Sequence, residues 1–219
     1  MTSARPAAIP VPRLAVGIAV VIYALMWVGF SQHWSIVDSV DCALLSAAHR
    51  IGVDHPAWIQ FWTAVSWWLG PVPLRLIGVL GSLVALVKRR FRTALLLVVC
   101  LPLNWGVTMI AKNLGHRQRP STAFVHLHSL SFPSGHALEA TAGILALLTA
   151  ILPWFTARAR AFVVTLGVGA IVLVGISRVA LNVHYPSDVI GGWALGYAYF
   201  ALAIWLIRPA REQVQVTAQ

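Results

Sequence analysis

The stretch Gly175–Trp193, GISRVALNVHYPSDVIGGW, joins two apolar segments and places a cation, an imidazole and a carboxylate between them: Arg178, His184 and Asp188. Ionisable side chains are costly beside a bilayer, so such a group indicates a functional site. A neutral imidazole is nucleophilic near pH 7 and can accept a phosphoryl group, which water then removes easily. Asp188 follows His184 by four residues, near the same helical face, and could accept the other ring N–H and fix the tautomer.

Two more cations belong to the stretch KNLGHRQRP, which leaves the third apolar segment of the chain: Lys112 and Arg119. A phosphoryl group in transfer spreads negative charge over its equatorial oxygens, so its site must supply several cations and hydrogen-bond donors. Lys112, Arg119 and Arg178 are such a set. Taken singly, each could instead anchor the chain to lipid headgroups.

The stretch Pro133–His136, PSGH, enters the fourth apolar segment and begins a helix. The free backbone N–H groups and the positive dipole end of a helix start favour an anion. Ser134 can add a hydroxyl donor, and Gly135 lets a phosphate oxygen approach the backbone closely. A capped helix start explains the serine but does not explain His136.

In order and spacing, these three stretches resemble the signature of the type 2 phosphatidic acid phosphatase superfamily: Lys-x6-Arg-Pro, Pro-Ser-Gly-His and Ser-Arg-x5-His-x3-Asp, matched without a substitution. The resemblance is concentrated in residues 112–188. It implies His184 as the nucleophile, Asp188 as its partner and His136 as the acid that protonates the leaving oxygen. It also implies a site that needs no metal and no cofactor.

The composition indicates a membrane protein, because 59% of the residues are hydrophobic, only 10% are charged and the mean hydropathy is +0.79. We expect an all-α bundle of six transmembrane helices forming one membrane phosphatase domain over residues 1–219. The expected spans are Leu14–Phe30, Val72–Val87, Thr93–Ala111, Ala137–Leu152, Ala161–Ile176 and Val189–Ile207.

The basic residues that flank these spans predict the orientation, because cytoplasmic loops are enriched in Lys and Arg. One side of the six-span arrangement carries Arg5, Arg13, Lys88, Arg89, Arg90, Arg92, Arg158, Arg160, Arg208 and Arg211. That side is expected to be the cytoplasm, with both termini in it and the site on the opposite face of the plasma (inner) membrane. Topology accounts for most of the net charge of +10, so no nucleic-acid partner is required.

Between the first two spans, Asp38–Leu69 has the spacing of an amphipathic helix on the outer surface, with an apolar face formed by Val37, Val40, Leu44 and Leu45. Its tryptophans, Trp58, Trp62, Trp67 and Trp68, suit an interfacial belt. The segment could simply anchor the chain, or it could form a wall that guides a lipid to the site.

Other polar residues are candidates for supporting roles. Glu139 could tune His136 or bind a substrate hydroxyl, and Arg117 and Asn182 could support the residues that contact the substrate. The sequence does not favour a metal site at His116, His126 and His128, because their spacing is short and no carboxylate accompanies them. Gly192 and Gly196 indicate helix packing.

We therefore expect hydrolysis of a phosphate ester or pyrophosphate of a membrane lipid through a phosphohistidine. Substrates implied by the resemblance are polyprenyl diphosphates such as the undecaprenyl carrier, phosphatidic acid and phosphatidylglycerol phosphate. A compact chain with an outward site favours the polyprenyl diphosphate, which is released on that face. Phosphotransfer to an alcohol acceptor and a non-catalytic lipid transporter or binding protein of the same fold stay open, as does the oligomeric state.

Overall fold

The structure, a computed structural model, describes residue 9, residues 11–125 and residues 127–207. This part of the chain forms nine α-helices and one 3-10 turn. They are α1 (Arg13–Ser31), α2 (Ser35–Asp54), α3 (Pro56–Trp68), α4 (Pro71–Val87), α5 (Phe91–Cys100), α6 (Asn104–Gly115), α7 (Gly135–Ile151), the turn Leu152–Trp154, α8 (Ala157–Ala180) and α9 (Pro186–Ile207). The all-α prediction is confirmed.

Six helical stretches in the described part are long and apolar enough to cross a membrane, as the sequence predicts: Arg13–Ser31, Pro56–Val87, Phe91–Gly115, Gly135–Trp154, Ala157–Ala180 and Pro186–Ile207. The second begins earlier than expected, because α3 leads into α4 with only Leu69 and Gly70 between them. The third is interrupted at residues 101–103, where Pro102 lacks the N–H that a continuous helix needs.

The segment Asp38–Leu69 is helical, but the expectation of one continuous helix is wrong. Pro56 begins α3 directly after His55, where α2 ends, because a proline is tolerated in the first turn of a new helix but not inside an old one. Of the expected apolar face of α2, Leu45 is buried against the bundle, while Val40 and Leu44 are exposed. The residues that α2 buries against the bundle are Asp41, Leu45, Ala48 and Gly52.

The centre of the bundle is α7, which packs against α4, α5, α6, α8 and α9. Its fully buried positions are mostly alanines, which let the neighbouring helices approach closely. The predicted packing role of Gly192 and Gly196 is confirmed. A Cβ at Gly192 would lie 2.6 Å from the Ser134 carbonyl oxygen, and one at Gly196 would lie 2.5 Å from that of Leu138. This contact brings the start of α9 against the start of α7.

The two ends of the bundle differ in composition. One end holds the starts of α5 and α8 and carries Lys88, Arg89, Arg90, Arg92, Arg158 and Arg160. The Arg90 guanidinium lies over the Trp154 ring, and Arg160 Nε donates to the Leu152 carbonyl over 2.9 Å. The three motifs lie at the opposite end, which we call the site end. Arg5, Arg208 and Arg211 lie outside the described residues.

Candidate active site

Four helix ends bring the motifs together at the site end. Lys112 lies in the last turn of α6, Arg178 in the last turn of α8, Ser134 directly before α7 and Asp188 in the first turn of α9. His184 lies in the turn between α8 and α9, and all five of these residues are buried. Helices α7 and α9 are locked here because the Ser134 N–H donates to the Asp188 carbonyl over 2.9 Å.

The His184 ring is held between a carboxylate and a guanidinium. Its Nδ1 lies 3.4 Å from Asp188 Oδ2, and its Nε2 lies 3.1 Å from Arg119 Nη1. A guanidinium can only donate, so Nε2 presents its lone pair and the ring proton lies on Nδ1, toward Asp188. Burial, with the nearby charges of Arg119, Lys112 and Arg178, holds the pKa of His184 well below its ordinary value. The ring is therefore neutral at pH 7, as a nucleophile must be.

Asp188 is fixed by three further donors. Arg117 Nη1 donates to Oδ1 over 2.7 Å, while the Ser131 hydroxyl and the Tyr185 backbone N–H donate to Oδ2 over 2.5 and 2.9 Å. Such a set orients the carboxylate toward the ring of His184. Ser131 lies outside the three sequence motifs, so the sequence did not predict its contact with Asp188.

Arg117 connects this carboxylate to α2. Its Nη2 donates to Asp41 Oδ2 over 2.8 Å, and its guanidinium stacks 3.8 Å from the Tyr185 ring centre. Asp41 also accepts from the Ser187 backbone N–H and hydroxyl. Burial lowers the pKa of Arg117, but the charges of Asp188 and Asp41 outweigh it and raise the pKa above its ordinary value. Sequence reasoning missed Asp41, whose only signal was an acid in a stretch otherwise rich in apolar residues.

The three cations keep donors free for a phosphate. Lys112 Nζ donates to the Leu130 and Ser131 carbonyls, and Arg178 Nη1 donates to the Ser66 hydroxyl. Arg178 Nε is buried and has no hydrogen-bond partner among the described residues. Arg119 donates to the Ser129 carbonyl and hydroxyl, to the Val183 carbonyl and toward His184 Nε2, which leaves one N–H on Nη2 without a partner among the described residues.

The start of α7 adds hydrogen-bond donors to those of Lys112, Arg119 and Arg178, and we call this set of donors the cradle. The Ser134 hydroxyl is buried without a hydrogen-bond partner in the part of the chain that the structure describes. The first backbone N–H groups of α7 have no intrahelical acceptor. Gly135 allows α6 to approach, since a Cβ there would lie 2.8 Å from Thr108 Cγ2. His136 follows in the first turn, where a Cβ on Gly70 would lie 3.4 Å from its Cδ2.

Glu139 and Asn182 make other contacts. Glu139 is buried and paired with Arg75 over 2.5 Å, and it accepts from Thr108 over 3.3 Å. Asn182 adopts a left-handed φ of 54° after α8, and its amide donates to Thr122, so it shapes the turn that leads into His184. The described residues bring together no group of three or more His, Cys, Asp or Glu that could hold a metal ion. His126 lies outside them.

An all-α bundle with cations, a helix start and a buried His–Asp pair at its helix ends has the architecture of a membrane phosphatase. The family model described as "PAP2 superfamily" matches residues 92–212, more than half of the chain. The chain belongs to this superfamily.

Relatives support the assignment. The chain is 34% identical to phosphatidylglycerophosphatase B of Bacillus subtilis (strain 168) over 176 residues, 78% of this chain and 84% of that protein. It is 44% identical to an undecaprenyl-diphosphatase of Sulfolobus acidocaldarius over 66 residues, 30% of this chain and 28% of that protein. It is 35% identical to a decaprenylphosphoryl-5-phosphoribose phosphatase of Mycobacterium tuberculosis over 96 residues, 42% of this chain and 48% of that protein.

The fold also matches a crystal structure of a transmembrane PAP2-type phosphatidylglycerolphosphate phosphatase from Bacillus subtilis. The TM-score is 0.73 and the identity 28%, over 88% of this chain and 95% of that one. With its six apolar helical stretches, this chain is a multi-pass membrane protein.

Proposed function

We propose that the chain, a membrane lipid phosphatase of the PAP2 superfamily, removes the terminal phosphate of a polyprenyl diphosphate through a phosphohistidine on His184. One observation carries the proposal most directly: the His184 ring is buried between Asp188 at Nδ1 and Arg119 at Nε2. That arrangement presents the Nε2 lone pair beside a cation that can also bind a phosphate oxygen.

The reaction would proceed in two steps. His184 Nε2 attacks the terminal phosphorus, and the bond from phosphorus to the bridging oxygen breaks with its electron pair staying on that oxygen. Asp188 stabilises the positive charge that develops on the ring, because the Nδ1 proton faces its carboxylate. His136, in the first turn of α7, would protonate the leaving oxygen and then take a proton from the water that attacks the phosphohistidine. In that second step the bond from phosphorus to Nε2 breaks and its electron pair returns to the ring, which frees inorganic phosphate.

The cations around the ring would bind the transferred group. Lys112, Arg119 and Arg178, with the Ser134 hydroxyl and the first N–H groups of α7, supply donors on several sides of one small space. Fixed donors of this kind stabilise the charge of the transition state without rearranging. Arg178 Nε and Ser134 Oγ support this assignment, since both are buried and have no partner among the described residues.

The substrate preference rests on the relatives and on the expected orientation. One relative is named for undecaprenyl diphosphate and one for a decaprenyl lipid that carries a phosphoribose, while a third relative and the matching crystal structure are named for phosphatidylglycerol phosphate. Phosphatidylglycerol phosphate and phosphatidic acid are therefore the competing substrates. We further propose that residues 1–219 act as one membrane domain. The basic end would face the cytoplasm and the site end would lie on the outer face of the plasma membrane.

Phosphate release by the purified protein in detergent tests the proposal. The panel contains undecaprenyl diphosphate, phosphatidylglycerol phosphate and phosphatidic acid at equal surface concentration, with His184→Ala as the blank. We expect the highest kcat/KM for the diphosphate. Preference for either monoester would overturn the substrate, and activity of the blank equal to wild type would overturn the mechanism. Mass spectrometry with added glycerol distinguishes transfer to an alcohol from hydrolysis.

A further inference from the structure

A second charge pair, between a half-buried arginine and a buried glutamate, lies next to the site and has no part in the chemistry above. Arg75, on α4, places Nη2 2.5 Å from Oε2 of Glu139, on α7. The Glu139 side chain is 5% exposed and the Arg75 side chain 33%. Ionisable residues within membrane spans are costly and usually serve substrate binding or transport. The pair therefore requires an explanation beyond holding α4 to α7.

The Arg75 guanidinium has N–H donors that make no hydrogen bond among the described residues. Only Nη2 contacts Glu139, and Nε is buried with no hydrogen-bond partner among the described residues. Glu139 is held from its other side by the Thr108 hydroxyl, which donates to Oε1 over 3.3 Å. The Glu139 carboxylate thus holds the guanidinium through Nη2. The N–H groups on Nε and Nη1 remain as donors for an anion.

The pair adjoins the phosphate cradle on the side facing the middle of the membrane span. A Cβ at Gly135 would lie 3.7 Å from Lys112 Cε and 3.9 Å from Glu139 Oε1. Glu139 lies three residues beyond His136 along α7, which is about 4.5 Å further from the site end at 1.5 Å per residue. Arg75, which pairs with Glu139, therefore lies on this side of the cradle.

A lipid bound with its terminal phosphate in the cradle must extend in that direction. Its hydrocarbon chain lies in the bilayer, so the part between the terminal phosphate and the chain runs from the site end toward the middle of the span. In a diphosphate lipid that part is the inner phosphate, which follows the terminal one after a single bridging oxygen.

We propose that Arg75, oriented by Glu139, binds the second phosphate of the substrate, the one that stays with the lipid. The inference rests on the proposed function and deepens it, because it assigns the selection of diphosphate over monophosphate lipids to one residue. As the bridging bond breaks, and until His136 has protonated the bridging oxygen, the electron pair adds negative charge to the inner phosphate, so Arg75 binds the leaving group more tightly in the transition state.

A matched substrate pair tests the subsite: farnesyl diphosphate and farnesyl monophosphate, which share one chain and differ by the second phosphate. The main variant combines Arg75→Met with Glu139→Leu, because replacing both partners leaves no unpaired buried charge. We expect its kcat/KM to fall about 10-fold to 100-fold for the diphosphate and less than about 3-fold for the monophosphate, as for the loss of a charged hydrogen bond. Arg75→Lys should recover part of the diphosphate rate.

Arg50→Gln is the matched control, since it removes an exposed cation of α2 and should leave both rates unchanged. Equal losses on the two substrates would show that the pair only holds the bundle together and would overturn the inference. No loss on the diphosphate would overturn it as well. If the wild-type protein released phosphate from neither lipid, the proposed function itself would fail.

Discussion

Nη2 of Arg117 lies 2.8 Å from Oδ2 of Asp41, and this ion pair joins α2 to the active site across 76 residues of sequence. The same guanidinium donates to Asp188 over 2.7 Å. A chain of contacts therefore runs from α2 through Arg117 and Asp188 to the ring of His184. Asp41 is a positioning residue, because it acts on the ring only through its neighbours.

Replacing Asp41 by Asn should lower kcat/KM for p-nitrophenyl phosphate about 10-fold, since the charged hydrogen bond that orients Arg117 is weakened. Arg117→Gln should cost at least as much. The double variant should cost no more than Arg117→Gln alone, because both changes act along one chain of contacts. Asp38→Asn is the matched control, as Asp38 lies one turn earlier on α2 and pairs with His33. Additive losses would contradict a shared chain.

The two histidines should respond differently to the leaving group. His184→Ala should abolish phosphoenzyme formation with every substrate. His136→Ala should slow the first step about 10²-fold to 10⁴-fold with phosphatidic acid, whose alkoxide needs a proton, and far less with p-nitrophenyl phosphate. Rapid-quench measurement of the first step separates this role from water activation in the second step. Equal losses with both leaving groups would remove the general-acid role, and phosphate trapped on His184→Ala would remove the nucleophile.

Protonation of His184 should contribute to the pH dependence of stability. The folded pKa is well below 6.5, the ordinary value of a histidine. The unfolded chain therefore binds the proton first as the pH falls. The contribution of this group to the free energy of unfolding is complete above pH 6.5 and is lost below it. We expect the midpoint of thermal unfolding to fall less between pH 7.5 and 5 for His184→Gln than for wild type. Identical pH dependences would contradict a neutral buried ring.

Cationic side chains should bind the phosphoryl group without a divalent ion. EDTA should change the rate on p-nitrophenyl phosphate by less than about 2-fold. Vanadate, which mimics five-coordinate phosphorus, should inhibit. Arg178→Gln should weaken vanadate inhibition about 10-fold or more, because Nε and Nη1 lie in the cradle. A strict requirement for added Mg²⁺ would contradict this account.

The orientation can be tested by cysteine labelling. In a background of Cys42→Ser and Cys100→Ser, a cysteine replacing the exposed Ser121 at the site end should react with an impermeant thiol reagent on intact cells. A cysteine replacing Thr156, exposed at the basic end, should react only after lysis. The reverse pattern would invert the proposed topology.

The sequence by itself determined the six apolar stretches, the positions of the three motifs and the glycines that pack α9 on α7. These features are local: a run of about 20 apolar residues, a motif spacing or a four-residue repeat can be recognised without knowing what lies across the bundle. The resemblance of the motifs then indicated the family. His184 and Asp188 are only four residues apart, so their proximity was also predictable.

Only the tertiary structure decided which side chains meet across the bundle. Asp41 with Arg117 and Arg75 with Glu139 join residues 76 and 64 positions apart, and nothing in the local sequence selects these partners. The packing of α2 against α8 and α9 placed Asp41 inside the bundle and left Val40 and Leu44 exposed. Near a bilayer, apolar residues are stable facing lipid as well as facing protein, so hydrophobic periodicity alone does not identify the buried face. Buried charges, which must find partners, do so only once the helices are packed.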